Sequence, residues 1–227
     1  MPFVACYQDD ILIGGTDLDH HVENLKKVLT KLRDSGLTLN RNKCNFLKNE
    51  IFYLGYKVNK DGIFSDDNKT EAIRSAPRPT NVNELQSFLG LVSYLSKFIP
   101  NASSLLYPLN QLLHKEKKWS WSKECEIAFN KVKDILSGSN FLVHFNPNVP
   151  LKLKCDASPY GLGCVLMHDI KNDEYPIAYA SRYLNSAEKN YSQLDKEALS
   201  IIFGVQKFYK YLYGTTFCLQ TDHKPLT

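Results

Sequence analysis

Two short apolar runs flank a polar break in the stretch Phe3-Val4-Ala5-Cys6-Tyr7-Gln8-Asp9-Asp10-Ile11-Leu12-Ile13. This pattern is typical of a tight antiparallel hairpin. Two adjacent carboxylates, Asp9 and Asp10, stand at its tip, although neighbouring residues of a strand point to opposite faces. Both acids can therefore approach one site only if the turn lies between them. Taken alone, the pattern also fits a solvated Asp-Asp turn.

The composition is that of a globular protein. Of 227 residues, 43% are hydrophobic, and the chain has only 11 Gly and 10 Pro. The formal net charge of +4 is compatible with nucleic acid but too small to argue for it. None of the six cysteines forms a C-x-x-C pair, which favours reduced thiols in an intracellular protein, of cytoplasm or nucleus. We find neither a signal-peptide pattern nor a long apolar run, and expect no membrane span.

The region after the hairpin is predicted to form one helix and two strands. Thr16 or Asp17 can cap the helix, and Gly36 ends it. Residues 37–39 and 51–58 alternate as strands do. One apolar stripe of the helix consists of Leu18, Val22, Leu25, Leu29 and Leu32.

From residue 66 onward the apolar period becomes helical. Residues 67–76 form a predicted helix stopped by Pro77. Asn81 and Glu84 form a capping-box pattern that opens a second helix, and Ser122 begins a later one.

The last block reads as mixed α/β. It contains three predicted strands, a helix and a fourth strand, at 151–156, 161–167, 175–181, 192–213 and 217–222. The helix is expected to bury Leu194, Ala198, Ile201, Val205, Phe208 and Leu212.

Motifs in both halves of the chain carry a family resemblance. Tyr7-Gln8-Asp9-Asp10 between apolar strands resembles the Tyr-x-Asp-Asp hairpin of reverse transcriptases. Three later motifs resemble the ribonuclease H domain of gypsy-class LTR retrotransposon Pol polyproteins: Cys155-Asp156-Ala157-Ser158-Pro159-Tyr160-Gly161-Leu162-Gly163, Lys196-Glu197-Ala198-Leu199 and Thr221-Asp222-His223-Lys224-Pro225-Leu226. We interpret the chain as a fragment of such a polyprotein, truncated at both ends.

The resemblance implies an α+β or α/β multi-domain fold. It consists of a partial polymerase palm at 1–65, a helical thumb at 66–118, a connecting helix and linker at 119–150, and the N-terminal part of a ribonuclease H-like mixed sheet at 151–227. The implied partners are an RNA template, a DNA primer and an RNA–DNA hybrid. The oligomeric state stays open.

The resemblance also implies a polymerase site. Asp9 and Asp10 would be catalytic ligands of Mg²⁺, or of Mn²⁺, because hard cations take oxygen ligands. Tyr7 would touch the primer end, and Gln8 would face the incoming nucleotide. Lys43 stands where the family carries a lysine that protonates pyrophosphate; a plain surface lysine is the alternative. Leu54-Gly55-Tyr56 resembles the hairpin that grips the primer; a strand containing a glycine is the alternative.

A second implied site belongs to the nuclease. Asp156, Glu197 and Asp222 correspond to three of the family's four acidic metal ligands, and we expect their carboxylates to cluster. The alternative is three exposed acids at the ends of their elements.

The implied activity is the copying of RNA into DNA and the degradation of RNA in RNA–DNA hybrids. The family also uses an earlier aspartate, nucleotide-binding fingers and a fourth nuclease acid, none of which the 227 residues include. We therefore expect no polymerase activity from this chain alone, and weak nuclease activity at most. The alternatives are a non-enzymatic nucleic-acid-binding remnant or co-opted module, and a product that does not fold stably.

Overall fold

The structure is a computed structural model that describes residues 2–114, 117–138, 141–171 and 173–221. The chain divides into two compact units, Met1–Lys60 and Asp61–Thr227. Within these described ranges, no helix is both long enough and apolar enough to cross a membrane.

The first unit opens with the predicted hairpin. Strands β1 (Val4–Tyr7) and β2 (Asp10–Ile13) pair antiparallel, with Tyr7 opposite Asp10. Helix α1 (Leu18–Asp34) follows, and its N-cap is Asp17, whose carboxylate accepts the His20 N–H at 2.8 Å. The hairpin and the cap confirm the sequence predictions.

The buried face of α1 differs from the predicted apolar stripe. Leu18 is 63% exposed and Leu29 is 38% exposed, whereas Asn24 and Val28 are buried. The Asn24 amide donates a hydrogen bond to the Gly14 carbonyl at 3.1 Å. This bond holds the Asn24 side of the helix against the end of the hairpin. The prediction that the stripe with Leu18 and Leu29 forms the buried face was therefore wrong.

The segment after α1 forms a hairpin instead of one long strand. Strands β3 (Glu50–Tyr53) and β4 (Tyr56–Asn59) pair antiparallel around Leu54 and Gly55, so the single strand over 51–58 was wrong. Leu54 has φ +49° and Gly55 has φ +73°. Positive φ at both central residues is typical of a type I′ turn, which matches the twist of a hairpin.

The strand predicted at 37–39 is also absent from these described residues. The Leu37 N–H donates to the Leu32 carbonyl at 3.0 Å, and the Gly36 N–H donates to Arg33 at 3.0 Å. These two bonds close α1 in a Schellman-type cap. Because the Leu37 N–H donates within this cap, it is not available to pair with a neighbouring strand.

The second unit begins with a short strand and four helices. The elements are β5 (Ile63–Ser65), α2 (Asp67–Arg74), α3 (Val82–Tyr94), α4 (Ala102–Gln111) and α5 (Lys123–Ser137). At the start of α3 the Glu84 N–H donates to the Asn81 side chain at 3.0 Å, while the Glu84 carboxylate accepts the Thr80 N–H at 2.7 Å. This is the predicted capping box, with its return bond shifted by one residue.

A four-stranded mixed sheet completes this unit. After β6 (Phe141–Leu142), which pairs with β5, come β7 (Leu151–Ala157), β8 (Gly161–Ile170), β9 (Asp173–Tyr183), α6 (Gln193–Lys207), α7 (Tyr209–Leu212) and β10 (Phe217–Gln220). The strand order is β10-β7-β8-β9, with β10 parallel to β7 and the other pairs antiparallel. The α+β fold with a mixed sheet is the one expected.

Helix α6 packs on one face of this sheet through small residues. A Cβ atom on Gly204 would lie 2.9 Å from the Cys155 sulfur, so the glycine permits close approach. Ser200 is fully buried, whereas Leu194 is 42% exposed. The prediction that Leu194 is buried was wrong, because the small side of the helix faces the sheet. The helix predicted over 192–213 is divided at Phe208.

Glu188 makes the connection between β9 and α6 sensitive to pH. Its carboxylate accepts two hydrogen bonds from Arg182, at 2.7 and 2.9 Å, and one from the Asn185 N–H at 2.9 Å. The bonds from Arg182 are the main reason that the pKa of Glu188 lies below its usual value. A carboxyl with a lowered folded-state pKa stabilises the fold above its unfolded-state pKa, and this contribution is lost as pH falls through the folded-state pKa.

We therefore expect Glu188→Gln to lower the free energy of unfolding at pH 7 by about 1–2 kcal/mol. The difference from the parent should shrink as pH falls below about 4, near the unfolded-state pKa of glutamate. Urea denaturation at pH 7 and pH 3 measures both values. Glu71→Gln, which breaks an exposed pair with Arg74, should change the free energy by at most about 0.5 kcal/mol. Equal differences at both pH values would contradict the assignment to the Glu188 carboxylate.

Candidate active site

The tip of the first hairpin brings four of the predicted site residues together. Tyr7 ends β1, Asp10 begins β2, and Gln8 and Asp9 form the two-residue turn between them. Gln8 has φ +50°, a conformation that non-glycine residues seldom adopt. Tyr7 is 55% exposed, and the other three residues are exposed as well. The tip therefore presents an aromatic ring and two carboxylates to solvent.

The position of the turn explains how adjacent acids can serve one site. We expected the turn to lie between Asp9 and Asp10, but it comprises Gln8 and Asp9. Asp9 therefore lies in the turn and not in a strand. The rule that neighbouring side chains of a strand point to opposite faces does not apply to Asp9 and Asp10. Carboxylate oxygens on an exposed tip are the donor type that a hard divalent cation takes, so the chemistry of this pair fits such an ion.

The two remaining features of the predicted polymerase site also lie in the first unit. Lys43 is exposed and ends a short 3₁₀ turn over Arg41–Lys43, in which the Asn42 N–H donates to the Asn40 side chain. Leu54 and Gly55 form the β3–β4 turn, and Tyr56 begins β4. The segment that resembles the primer-gripping hairpin is thus a hairpin in the structure.

The predicted nuclease residue Glu197 lies on α6 and faces the sheet. It is 4% exposed. Gln193 donates through its side-chain amide to Glu197 Oε1 at 2.6 Å and to the Ala157 carbonyl at 3.1 Å. Through Gln193, the Glu197 carboxylate is held near the last residue of β7.

Asp156 points to the other face of the same sheet. Cys155 and Cys164 are cross-strand partners, and both lie against Gly204 of α6. Asp156 is the next residue along β7, and its carboxylate Oδ2 accepts a hydrogen bond from the Asn101 amide at 2.8 Å. Asn101 immediately precedes α4, so α4 and α6 cover opposite faces. Asp156 and Glu197 therefore approach the end of β7 from opposite sides.

The expected cluster of three nuclease acids stays a prediction. Asp222 lies outside the described residues. Strand β10 runs parallel to β7 with Gln220 opposite Lys154, two residues before Asp222 and Asp156 along the respective sequences. In the part of the chain that the structure describes, no group of three or more His, Cys, Asp or Glu residues could hold a metal ion.

Two buried thiols beside this site are chemically quiet. Burial raises the pKa of Cys155 to about 12, with a smaller contribution from Glu197. Burial likewise raises the pKa of Cys164 to about 12. Both thiols are therefore protonated at neutral pH, and a protonated thiol is a poor nucleophile.

Asn101 is a residue of this site that no sequence pattern indicated. The residue has φ +47° and ψ +40°, and its side chain makes no capping bond to α4. An asparagine before a helix would ordinarily predict an N-cap. Its actual partner, Asp156, is 55 positions away in the sequence, and no local pattern reports such a contact.

The first unit thus presents an acidic hairpin tip, and the second contains a mixed sheet in the order β10-β7-β8-β9. Two family models match the chain. The model described as "Reverse transcriptase (RNA-dependent DNA polymerase)" matches residues 2–58, and "RNase H-like domain found in reverse transcriptase" matches residues 121–219.

Curated relatives are retrotransposon polyproteins. The Retrovirus-related Pol polyprotein from transposon opus of Drosophila melanogaster is 40% identical over 233 residues, which span 97% of this chain and 23% of that protein. The Transposon Tf2-3 polyprotein of Schizosaccharomyces pombe is 37% identical over 226 residues, spanning 98% of this chain and 17% of that protein. The chain is similar over nearly its whole length to these retrotransposon Pol polyproteins, contains regions that match the reverse transcriptase and RNase H-like family models, and is consistent with the gypsy class. It spans less than a quarter of the length of these relatives.

Solved structures support the fold. The foamy viral protease-reverse transcriptase in complex with RNA/DNA hybrid matches with a TM-score of 0.81 at 24% identity, covering 100% of this chain and 31% of that chain. The same viral protein in complex with dsDNA matches with a TM-score of 0.79 at 24% identity, covering 98% of this chain and 47% of that chain.

Proposed function

We propose that this chain is the part of an RNA-directed DNA polymerase that carries its acidic catalytic hairpin, joined to part of the RNase H that degrades RNA in RNA–DNA hybrids. The observation that carries the proposal is the exposed tip, where Tyr7 lies opposite Asp10 and Asp9 belongs to the two-residue turn between them. The matches of the two family models, in this order along the chain, support it.

Each residue at the tip has a role in the proposed reaction. Asp9 and Asp10 hold Mg²⁺, or Mn²⁺ in its place. When bound, divalent ions in such sites lower the pKa of the attacking oxygen and neutralise the leaving one. Tyr7 forms a wall for the end of the DNA primer, and Gln8 faces the incoming nucleotide.

Other parts of the first unit hold the nucleic acid. Lys43 supplies a proton to departing pyrophosphate, and its exposure leaves it accessible. Leu54, Gly55 and Tyr56 contact the primer strand at the β3–β4 turn. The proposed domains remain the palm end at 1–65, the thumb at 66–118, the connection at 119–150 and the RNase H-like part at 151–227.

In the proposed nuclease, Asp156, Glu197 and Asp222 are the metal ligands. Asp156 and Glu197 lie on opposite faces of the sheet here, so no catalytic step is assigned to them. The burial of Glu197 against the sheet supports a specific role, because a buried carboxylate is costly unless it has partners.

Binding of a primer–template tests the proposed tip. We expect Mg²⁺ to tighten binding of a fluorescent DNA primer on an RNA template to the 227-residue chain. Replacing both acids, by Asp9→Asn with Asp10→Asn, should remove this Mg²⁺ effect, a change of about tenfold or more, because charged contacts of this kind are worth more than one factor of ten. Fluorescence anisotropy measures the dissociation constants.

The control is Asp19→Asn, which removes an exposed aspartate from the first turn of α1 and should keep the Mg²⁺ effect. Binding that is equally tight without Mg²⁺, and unchanged in the double variant, would favour a non-enzymatic nucleic-acid-binding module.

A further inference from the structure

Three tyrosine rings form a cluster beside the turn between β7 and β8. Tyr107 lies on α4, Tyr160 lies in the turn, and Tyr183 ends β9. The rings of Tyr107 and Tyr160 are stacked, with centroids 3.9 Å apart and an angle of 14° between their planes. The Tyr183 centroid lies 6.5 Å from that of Tyr107. We call this cluster of Tyr107, Tyr160 and Tyr183 the tyrosine platform.

Two rings of the tyrosine platform face solvent. Tyr160 is 43% exposed and Tyr183 is 40% exposed. Because Tyr107 covers one face of the Tyr160 ring, the exposed part of that ring is its other face and its edge. Neighbouring aromatic rings that are left open to solvent are typical of an interaction site.

Hydrogen bonds hold the platform in place. The Ser158 hydroxyl accepts the Tyr160 N–H at 3.2 Å, and the Tyr160 carbonyl accepts the Leu184 N–H at 3.0 Å. The Asn110 side-chain amide donates to the Tyr183 hydroxyl at 2.7 Å. The rings are therefore positioned before any ligand arrives, so that binding costs the protein little conformational entropy.

A positive charge lies at the edge of the platform. The Lys189 ammonium is 5.9 Å from the centroid of the Tyr107 ring, and the residue is exposed. The neighbouring carboxylate of Glu188 is paired with Arg182 and does not neutralise this charge. Aromatic rings that stack on bases, next to a lysine that contacts phosphate, are the features that bind single-stranded nucleic acid.

We propose that the tyrosine platform binds an unpaired nucleotide of an RNA strand next to the nuclease site. The base stacks on the exposed surface of Tyr160 and Tyr183, and Lys189 contacts a phosphate. The platform follows Asp156 directly in the β7–β8 turn, and the RNA strand of a hybrid has unpaired nucleotides where it ends or has been cut. Stacking accepts every base, as the degradation of RNA of any sequence requires.

The inference rests on RNA as the substrate of the proposed nuclease. It needs neither a metal ion nor a ligand role for Asp156 or Glu197. The platform is therefore tested with EDTA present, and all proteins carry Asp9→Asn and Asp10→Asn, so that the acidic hairpin tip holds no divalent ion.

Binding of single-stranded RNA is the first test. We expect Tyr160→Leu, which keeps an apolar side chain but removes the ring, to raise the dissociation constant of the 227-residue chain for oligoadenylate by about tenfold, a loss in the range of one base–aromatic stack. Tyr160→Phe keeps the ring and should bind as tightly as the parent. The RNA is labelled with fluorescein and is about ten nucleotides long, within the usual site size. Fluorescence anisotropy measures the dissociation constants.

The salt dependence of binding tests the phosphate contact. Each phosphate that a single strand places against a basic side chain changes the slope of log Kd against log salt by about 0.7. We expect Lys189→Gln to reduce the slope by this amount. Lys210→Gln, which replaces an exposed lysine of α7, should leave the slope unchanged. An unchanged slope in Lys189→Gln would contradict the proposed phosphate contact.

The stacking itself is measured with 2-aminopurine in the same RNA, because the fluorescence of this base falls when it stacks on a ring. We expect the fall with the parent and with Tyr160→Phe, and its loss with Tyr160→Leu. Tyr213→Leu is the matched control, since Tyr213 is 74% exposed and lies beside the Tyr209 ring. It should change neither the fluorescence nor the dissociation constant.

Three results would overturn the platform: no fall in fluorescence with the parent, equal RNA affinity of the parent and Tyr160→Leu, or the same loss of affinity in Tyr213→Leu. A parent dimer that Tyr160→Leu converts to a monomer, with RNA binding unchanged, would make the cluster a contact between two copies of the chain and would also overturn it. None of these results affects the Mg²⁺-dependent binding of a primer–template at the hairpin tip. Failure of the platform is thus distinguishable from failure of the proposed function.

Discussion

Replacing Asp9 by Asn should reduce DNA synthesis on an RNA template by roughly 10²–10³-fold, the range found when one electrostatic group of an active site is removed. The assay protein is an opus Pol polyprotein in which this chain replaces the matched segment, since the two are 40% identical over 97% of the chain. Asn preserves the shape of Asp but cannot neutralise a divalent cation. Primer extension, compared with the parent chimera, measures the loss.

Because the tip is exposed, this substitution should leave the fold intact. The thermal midpoint of the Asp9→Asn chain should therefore match that of the parent. Asp10→Asn should also reduce synthesis, whereas Asp19→Asn on α1 should retain it. If Asp9→Asn keeps more than a tenth of the parental rate while the chimera is active, Asp9 is not a metal ligand in the reaction.

The hairpins illustrate what a sequence reports about turns. The first was predictable, because two apolar runs flank a polar break, although the turn comprises Gln8 and Asp9 instead of lying between Asp9 and Asp10. The second was predicted as one strand, because Leu54 is apolar and gives no sign that its φ is +49°. The useful signal was Gly55, since a glycine inside a strand pattern can mark a turn or bulge. Turn geometry at a leucine is imposed by the strands on either side.

Helix faces were predicted less well than helix bounds. Capping residues such as Asp17 and Ser122 act through local hydrogen bonds, so their positions can be read from the sequence. The buried face depends on what the helix packs against. In α6 the close approach of Gly204 to Cys155 selects the small side of the helix and leaves Leu194 exposed. Such a contact joins distant residues and has no local sequence signal.

For the nuclease acids, the family resemblance and the alternation of β7 led to different expectations about the direction of the Asp156 side chain. The resemblance grouped Asp156 with Glu197. The alternation of β7 indicates that Asp156 points away from the apolar side made by Leu153 and Cys155, which α6 covers. The structure follows the alternation and adds Asn101 on the opposite face. The sequence therefore contained the direction of the Asp156 side chain but not its partner.

The stability of the second unit depends on the residues that join β7 to α6, and Leu153 is central among them. It is fully buried, on a strand with β10 on one side and β8 on the other. A Cβ atom on Gly204 would lie 3.4 Å from a terminal carbon of Leu153, so the side chain fills the space against the helix. Truncation there leaves a cavity that the close-packed surroundings cannot fill.

We expect Leu153→Ala to lower the free energy of unfolding of the second unit by about 2–5 kcal/mol. That is a large share of the 5–15 kcal/mol, roughly, that stabilises a typical domain. Urea denaturation followed by tryptophan fluorescence isolates this unit, because the two tryptophans, Trp119 and Trp121, both belong to it.

Ile202→Ala is the matched control, since Ile202 lies on α6 but is 53% exposed. Its effect should stay within about 0.5 kcal/mol. A loss below about 1 kcal/mol for Leu153→Ala would mean that the strand and the helix move together and close the cavity. Such movement is possible only if the contact between sheet and helix is not close-packed. Because Gln193 joins Glu197 to the end of β7, a contact that loose would also release the Glu197 carboxylate from its position.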